Sequence, residues 1–146
     1  MSLSSRIGNN ITLNLGYTYS KFEYANYVKN NKNLNGNRLP GIPQNTFNSD
    51  IYYINPNGYF IMVGLTRYGI IYLNDLNDHE IDPYSILNLR VGNEYKLFGS
   101  KLKVHIGVNN LLNANYYSNL RVNAWGGRFY EPAPQSNFYM GTEVIF

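Results

Sequence analysis

The most regular feature of this sequence is an alternation of apolar and polar residues. From residue 11 to residue 20, the odd-numbered positions carry Ile, Leu, Leu, Tyr and Tyr, whereas the even-numbered positions carry Thr, Asn, Gly, Thr and Ser. Because successive side chains of a β-strand point to opposite faces of its sheet, this pattern predicts a strand with one apolar face and one small, polar face. Such a strand fits a soluble sandwich, whose apolar face meets a core, and a membrane barrel, whose apolar face meets lipid.

Five further segments alternate in the same way. Together they predict an all-β fold, an antiparallel meander of about six strands, over residues 11–20, 46–54, 59–73, 84–95, 102–109 and 138–146. In the third segment, Arg67 falls on the apolar face unless a bulge at Gly69 or earlier resets the alternation. The residues predicted to share the apolar face include Leu13, Leu15, Leu87, Leu89, Val104, Ile106, Val108 and Val144.

The connections between these segments differ in length. Residues 55–58 (NPNG) form a tight turn by their residue types, residues 96–100 form another short connection, and the other three connections are long. Short periplasmic turns opposite long external loops are typical of transmembrane barrels. The sequence therefore predicts a membrane barrel in which the first segment rises from the periplasm and, for six strands, both chain ends lie on the periplasmic side.

The composition supports a membrane barrel and excludes several classes of functional site. Charged residues make up 14% of the chain, against about 25% in typical globular proteins, and aromatic residues reach 16%. No apolar run is long enough to predict a transmembrane helix. The lack of cysteine excludes disulfides, thiol catalysis and cysteine-based metal sites, and scattered basic residues do not indicate nucleic-acid binding. The N-terminus has no signal-peptide pattern, so we expect a fragment of a longer protein.

The polar positions of the strands are predicted to face a barrel lumen. The charged and amide residues expected there are Asn88, Arg90, Glu94, Lys103, His105 and Glu143. His105 has no carboxylate or nucleophile at a spacing that indicates a catalytic pair. Glu94 and Glu143 fit ion pairs within a barrel better than a glycosidase pair. We therefore predict no catalytic residue, cofactor or metal site, and we do not expect an enzyme.

Two of the long connections carry candidate binding residues. Residues 74–82 are acidic and rich in the oxygen ligands that suit Ca²⁺, but they lack the glycine and spacing of an EF-hand. A solvated external loop is the favoured interpretation, and Ca²⁺ binding is left open. Residues 115–135 contain Tyr117, Arg121 and Trp125, which are our candidates for ligand contact. Guanidinium groups bind carboxylate or catecholate oxygens, and aromatic rings stack on flat ligands.

Three segments resemble TonB-dependent receptors of the bacterial outer membrane. Residues 108–117 (VNNLLNANYY) look like the family segment N-L-[F/L]-[N/D]-x-x-Y. Residues 126–139 are similar to the family's C-terminal pattern G-R-x-[Y/F]-x-P-x-P-x-R-x-[F/Y], and residues 38–45 are similar to its L-x-x-[V/I]-P-x-[H/N] strand entry. The terminal Phe146, preceded by alternating apolar residues, looks like the family's outer-membrane insertion signal.

The resemblance implies the fold and function of that family. Residues 1–146 would be the C-terminal part of a 22-stranded, plugged β-barrel, with the plug domain and signal peptide outside this chain. The implied function is import of iron chelates (siderophore-like) or similarly scarce nutrients across the outer membrane of a Gram-negative bacterium, energised through TonB. The implied partners are outer-membrane lipid, the rest of the barrel and its plug, TonB through the missing N-terminal part, and the barrel assembly machinery through the C-terminal strand. The shared motif also implies that residues 128–134 fold the last long loop back onto the barrel rim.

Three other functions are left open by the sequence. A passive porin-like channel is the main alternative, and an upstream plug sequence would exclude it. An outer-membrane lipase or protease would need a Ser or Asp site paired with His105 or His79. A soluble β-sandwich binding module would be indicated if the chain were soluble without detergent.

Overall fold

The regular secondary structure of the chain is β-strand, apart from one 3₁₀ turn over Trp125–Gly127. The computed structural model describes residues 1–146, apart from the side chain of Leu97. In chain order, its strands are β1 (Ser2–Ile7), β2 (Ile11–Tyr19), β3 (Val28–Lys29), β4 (Lys32–Asn33), β5 (Asn45–Ile54), β6 (Tyr59–Tyr68), β7 (Ile71–Tyr72), β8 (Glu80–Ile81), β9 (Tyr84–Leu97), β10 (Ser100–Asn109), β11 (Tyr117–Leu120), β12 (Tyr130–Pro132) and β13 (Asn137–Ile145). Among the described residues, no helix has the length and hydrophobicity needed to cross a bilayer.

Seven strands form one antiparallel sheet, in the order β1-β2-β5-β6-β9-β10-β13. Each pairs with the next long strand along the chain, which confirms the predicted antiparallel meander. The sequence does not predict β1, which pairs with β2 through Leu3↔Leu15 and Ile7↔Ile11. With seven strands, the prediction that both chain ends lie on the same side is wrong. Strand β1 begins at the end of the sheet that carries the long loops, and β13 finishes at the end with the short turns.

The third predicted strand is shorter than its apolar pattern suggests. Strand β6 ends at Tyr68, and the next apolar residues leave the sheet to form the separate β7–β8 pair. No bulge interrupts β6, whose register with both neighbours is continuous to its end. Arg67 therefore lies on the apolar face, where its Nη1 donates a hydrogen bond to Ser85 Oγ at 3.2 Å. Arg67 is one residue from the loop end of β6, so its long side chain can extend beyond the apolar part of this face.

The register divides the sheet into an apolar face and a polar face, as the alternation predicts. One row of paired residues on the apolar face is Leu13, Ile51, Val63, Leu89 and Val108. The adjacent row on the polar face is Asn14, Asp50, Gly64 and Asn88. Because facing residues of paired strands share a side, the same pairing also places the remaining predicted members of the polar face together: Arg90, Glu94, Lys103, His105 and Glu143.

Aromatic rings on the polar face lie across glycines of neighbouring strands. Tyr139 pairs with Gly107, and a Cβ atom at Gly107 would overlap the tyrosine ring. The ring can therefore cross β10, and Arg90 Nε donates a hydrogen bond to the Tyr139 hydroxyl at 2.9 Å. Phe60 uses Gly92 in the same way, with Lys103 Nζ 5.2 Å from the ring centroid. These contacts link strands that are not direct neighbours.

Gly107→Ala is expected to destabilise the intact barrel, because the new methyl group displaces Tyr139 and breaks its hydrogen bond with Arg90. Overpacking of this kind costs about 1–3 kcal/mol. The free energy of unfolding in urea measures the effect. Gly16→Ala is the matched control, since a Cβ there meets only Asn48, at 3.9 Å. Equal stability of the two variants would contradict the proposed role of the Gly107 contact.

Candidate functional site

The two ends of the sheet differ in the length of their connections. Residues 8–10, 55–58 and 98–99 make short turns at one end. The other end carries three long loops, which we name loop A (residues 20–44), loop B (residues 69–83) and loop C (residues 110–136). This arrangement confirms the predicted separation of short and long connections, and it gathers the loop residues at one end of the sheet.

Loops B and C share a small hydrophobic core. Ile71, Leu73 and Ile81 of loop B pack with Phe129 of loop C, and all four side chains are buried. Loop C folds back on itself, since β11 and β12 pair as a hairpin. Residues 128–134 contribute one buried side chain, Phe129, and the whole of strand β12 to this arrangement.

A buried carboxylate, Asp75, joins all three loops. The residue is only 4% exposed, although it lies in a segment that is otherwise largely solvent-accessible. Its Oδ1 accepts hydrogen bonds from the Tyr24 hydroxyl and from Asn123 Nδ2, both at 2.8 Å. Its Oδ2 accepts a hydrogen bond from Lys29 Nζ, also at 2.8 Å. Loop A thus contributes a tyrosine and a lysine, and loop C contributes an asparagine.

This bonding fixes the charge of Asp75. Burial by itself raises the pKa of Asp75, but hydrogen bonds from Lys29, Asn123 and Tyr24 outweigh it and lower the pKa to about 2. Burial, followed by the contact with Asp75, raises the pKa of Tyr24 to about 12. At neutral pH, Asp75 is therefore ionised and Tyr24 is a neutral donor. The carboxylate is occupied by protein donors, and the described residues contain no group of three or more His, Asp or Glu side chains arranged to hold a metal ion.

Asp75→Ala is expected to loosen the three loops while leaving the sheet intact. The substitution removes the common acceptor of Lys29, Tyr24 and Asn123, and loss of one partner of a buried hydrogen bond costs about 1–3 kcal/mol. Amide hydrogen exchange of residues 20–44, 69–83 and 110–136 in the intact barrel measures the change. Asp82→Ala, at an exposed position of loop B, is the matched control and should leave protection unchanged. Unaltered exchange in the Asp75 variant would show that the three loops are held by other contacts.

The same carboxylate predicts an acid transition of the loops. The folded-state pKa of Asp75, about 2, lies below its ordinary value of 3.8, so the stability that it contributes is fully present above about pH 4. That contribution is lost as the pH falls towards 2. Loop protection in the unmodified barrel should decrease over this window, and the decrease should be smaller in the Asp75→Ala variant.

The three residues predicted to contact a ligand do not line a common pocket in the described part of the chain. Trp125 is 96% exposed, in a 3₁₀ turn over Trp125–Gly127. Arg121 lies on the surface of loop C, where Nη2 is paired with Glu131 Oε1. Tyr117 is partly buried against the small core, and its ring centroid is 4.1 Å from that of Tyr130. Tyr117 therefore supports loop C, whereas Trp125 and Arg121 face solvent.

A cavity that the sequence does not predict lies between the loops. It has a volume of about 140 Å³, and we name it the loop cavity; its lining includes Lys29, Lys32, Asn74, Asp75 and Asn123. Asn74 Oδ1 is buried and has no hydrogen-bond partner in the described part of the chain. The contacts that form this cavity join residues 46 to 51 positions apart, so no local sequence pattern indicates them.

Comparison with known proteins identifies the family. A family profile described as "TonB dependent receptor-like, beta-barrel" matches residues 2–111, which is more than half of the chain. The structure is similar to the siderophore receptor PiuA from Acinetobacter baumannii, with 16% identity, a TM-score of 0.78, and coverage of 99% of this chain and 20% of that chain. It is also similar to BauA, the ferric preacinetobactin receptor from the same species, with 16% identity, a TM-score of 0.80, and coverage of 99% and 21%.

A third similar structure is the ferric-catecholate import receptor Fiu from E. coli K12, with 16% identity, a TM-score of 0.69, and coverage of 99% and 20%. At these identities, the structural likeness shows a common fold. The chain spans about a fifth of the length of each of these receptors. The profile match, the antiparallel strands and the three long loops at one end of the sheet agree, and the chain belongs to the TonB-dependent receptor family, as part of a β-barrel of the Gram-negative outer membrane.

Proposed function

We propose that this chain forms part of the wall and external mouth of a receptor that imports an iron chelate across the outer membrane, energised through TonB. The observation that carries the proposal is the packing of three long loops into one unit, with the loop cavity at their junction. Passive pores need an open mouth, whereas a receptor needs a preorganised binding surface. Asp75 supplies that order by fixing loops A, B and C to one another.

The chemistry of the loops suits an oxygen-rich ligand. The loop cavity is lined by Lys29, Lys32, Asn74 and Asn123 and by the Asp75 carboxylate. Because Lys29 and Asn123 already donate to Asp75, Lys32 is the cation of the lining that we propose to bind an anionic ligand oxygen. The volume of the cavity, about 140 Å³, is below the range of about 300–1,000 Å³ that accommodates a whole drug-sized ligand. We therefore assign the cavity to one arm of a chelate, with the remainder of the ligand lying over the surface of the loops.

Trp125 and Arg121 are the proposed contacts for that remainder. The exposed Trp125 ring is available to stack on a flat group. The guanidinium of Arg121 has five donors, so its pairing with Glu131 leaves others for a ligand oxygen. Tyr117 is proposed to act only indirectly, by supporting the strand that precedes Arg121.

The faces of the sheet are assigned by the chemistry of a plugged barrel. We propose that the polar face lines the lumen, where Arg90, Glu94, Lys103, His105 and Glu143 contact the plug or water. The apolar face would then contact lipid. Phe146, which is fully exposed at the turn end, is the proposed contact for the barrel assembly machinery.

Chelate uptake by the intact receptor tests the function. Cells that express it should take up a labelled ferric chelate only when TonB is present. Trp125→Ala should weaken chelate binding by about tenfold, which corresponds to loss of a stacking contact of about 1–1.5 kcal/mol. Phe98→Ala, a fully exposed aromatic at the opposite end of the sheet, is the control. Uptake of small solutes that continues without TonB would overturn the proposal in favour of a passive channel.

A further inference from the structure

Arg67 is a charged residue on the apolar face of the sheet. It lies in β6, paired with Phe47 of β5 and Ser85 of β9, and it is exposed. The next paired row towards the middle of the sheet includes Leu65 and Leu87. A charge next to hydrocarbon is costly. A guanidinium on such a face therefore needs either water or an anionic partner.

The protein supplies Arg67 with one hydrogen bond and no countercharge. Arg67 Nη1 donates to Ser85 Oγ at 3.2 Å, and none of the ion pairs among the described side chains includes Arg67. A guanidinium carries five N–H donors, so most of them remain available. Ser85 Oγ is the acceptor in this contact, which leaves its own O–H free to donate. Together, the two side chains present several donors and one positive charge on the apolar face.

The position of Arg67 along β6 corresponds to a membrane boundary. The strand has 10 residues, and at about 3.4 Å per residue and a tilt of about 40° it rises about 25 Å, the height of the apolar band of a transmembrane barrel. Tyr59 begins the strand at the turn end, and Arg67 lies one residue from the loop end. Tyr17, in the same row of the apolar face as Arg67, is exposed, as is typical of an aromatic side chain at this level.

A phosphate monoester complements the donors of Arg67 and Ser85. Guanidinium groups bind phosphate through two parallel N–H···O bonds, and the third phosphate oxygen can accept the Ser85 hydroxyl. A lipid headgroup without an anionic oxygen would leave the positive charge unbalanced. Leu65 and Leu87 lie on the membrane side of these donors, where an acyl chain that continues from the headgroup would pack.

We propose that Arg67 and Ser85 bind the phosphate group of a lipid in the leaflet at the loop end of the barrel, with an acyl chain of that lipid on Leu65 and Leu87. The inference rests on the proposed contact of the apolar face with lipid. It adds a specific lipid site to that face and does not depend on the identity of the imported chelate.

Native mass spectrometry of the intact receptor tests the site with two forms of one lipid, phosphorylated lipid A and the same lipid A after removal of its phosphates. Because the acyl chains are identical, a difference in binding reports the phosphate alone. We expect the unmodified receptor to bind the phosphorylated form about tenfold more tightly, the effect of one charge-assisted hydrogen bond. Arg67→Gln should remove this preference. Arg6→Gln makes the same change at an exposed position of the polar face and should keep it.

A second variant keeps the test decisive if Arg67→Gln assembles poorly. Ser85→Ala retains the charge and removes one donor, so it should lower the preference about threefold. Equal binding of the two forms by the unmodified receptor, or an unchanged preference in both variants, would overturn the proposal. Displacement of the lipid by an equal concentration of inorganic phosphate would indicate a site for the free anion and would also overturn it.

Chelate uptake is the separate readout of the transport function. Its absence would contradict the proposed import of an iron chelate but leave the preference for phosphorylated lipid unaffected. Normal uptake by Arg67→Gln, together with loss of the lipid preference, is the result expected if both proposals hold.

Discussion

Ile106→Arg should sharply lower the amount of intact receptor at the cell surface, whereas His105→Arg should leave it close to normal. Ile106 is 60% exposed on the apolar face, paired with Val91 and Met140. An arginine on the lipid face costs about 2–4 kcal/mol near the bilayer midplane. His105 lies on the polar face and is paired with Gly92 and Gly141, so an arginine there would not face lipid in the proposed arrangement.

The experiment compares the same introduced residue at adjacent positions of β10, so side-chain size and charge are matched. Surface labelling of the intact receptor and its heat-dependent migration in gels give the amount that is assembled. Ile61→Arg and Met62→Arg provide an equivalent pair in β6, at two exposed positions on opposite faces of the sheet. Equal surface levels within both pairs would contradict the assignment of the apolar face to lipid and the polar face to the lumen.

The strands with strict alternation are predicted well from the sequence. Strand β10 is predicted over residues 102–109 and observed over Ser100–Asn109, and the predicted segment 84–95 corresponds to Tyr84–Leu97. A shift of pairing by one residue would move every apolar side chain to the other face, so the pattern itself fixes the register. The separation of side chains between two faces follows directly from this constraint.

The strand predictions are wrong where the apolar and polar pattern of a segment does not reflect its pairing in the sheet. In β1, Ser5 occupies the apolar face opposite Leu13, so the short segment has no clear alternation. Its strand conformation comes from pairing with β2. After β6, Ile71 and Leu73 are apolar enough to suggest a longer strand, but they are buried in the core shared with Phe129. A sequence pattern shows that such residues avoid water, but it does not show which part of the fold buries them.

The candidate site is the least predictable part because it depends on contacts between distant loops. The acidic residues of segment 74–82 predict a solvated loop. Asp75 is nevertheless buried, and its carboxylate accepts hydrogen bonds from Tyr24, Lys29 and Asn123. These donors come from two other loops and have no characteristic spacing from Asp75. Similarly, the sequence shows only that Tyr117 and Trp125 are both aromatic residues that could stack on a ligand. The structure distinguishes them, because Tyr117 packs against the core that contains Phe129 and against Tyr130, whereas Trp125 is exposed.

The 146-residue chain, expressed by itself, is expected to be insoluble without detergent and to transport nothing. Strands β1 and β13 form the two edges of the sheet and do not pair with each other, so the sheet is open. Bacterial single-chain barrels close with about eight strands or more. In lipid, the unpaired N–H and C=O groups of both edges are each unfavourable by several kcal/mol. A continuous transport path therefore needs additional strands.

In water, the same sheet should aggregate, because open edges pair with other chains and the apolar face is not covered. The edge strand β13 shows this most clearly, since Phe138 and Met140 are both largely exposed on its apolar side. Size-exclusion chromatography with and without detergent measures the outcome, and detergent should recover protein that is otherwise in the insoluble fraction. A monodisperse monomer without detergent, with a cooperative unfolding transition, would contradict the open-sheet argument and favour a soluble β-sandwich.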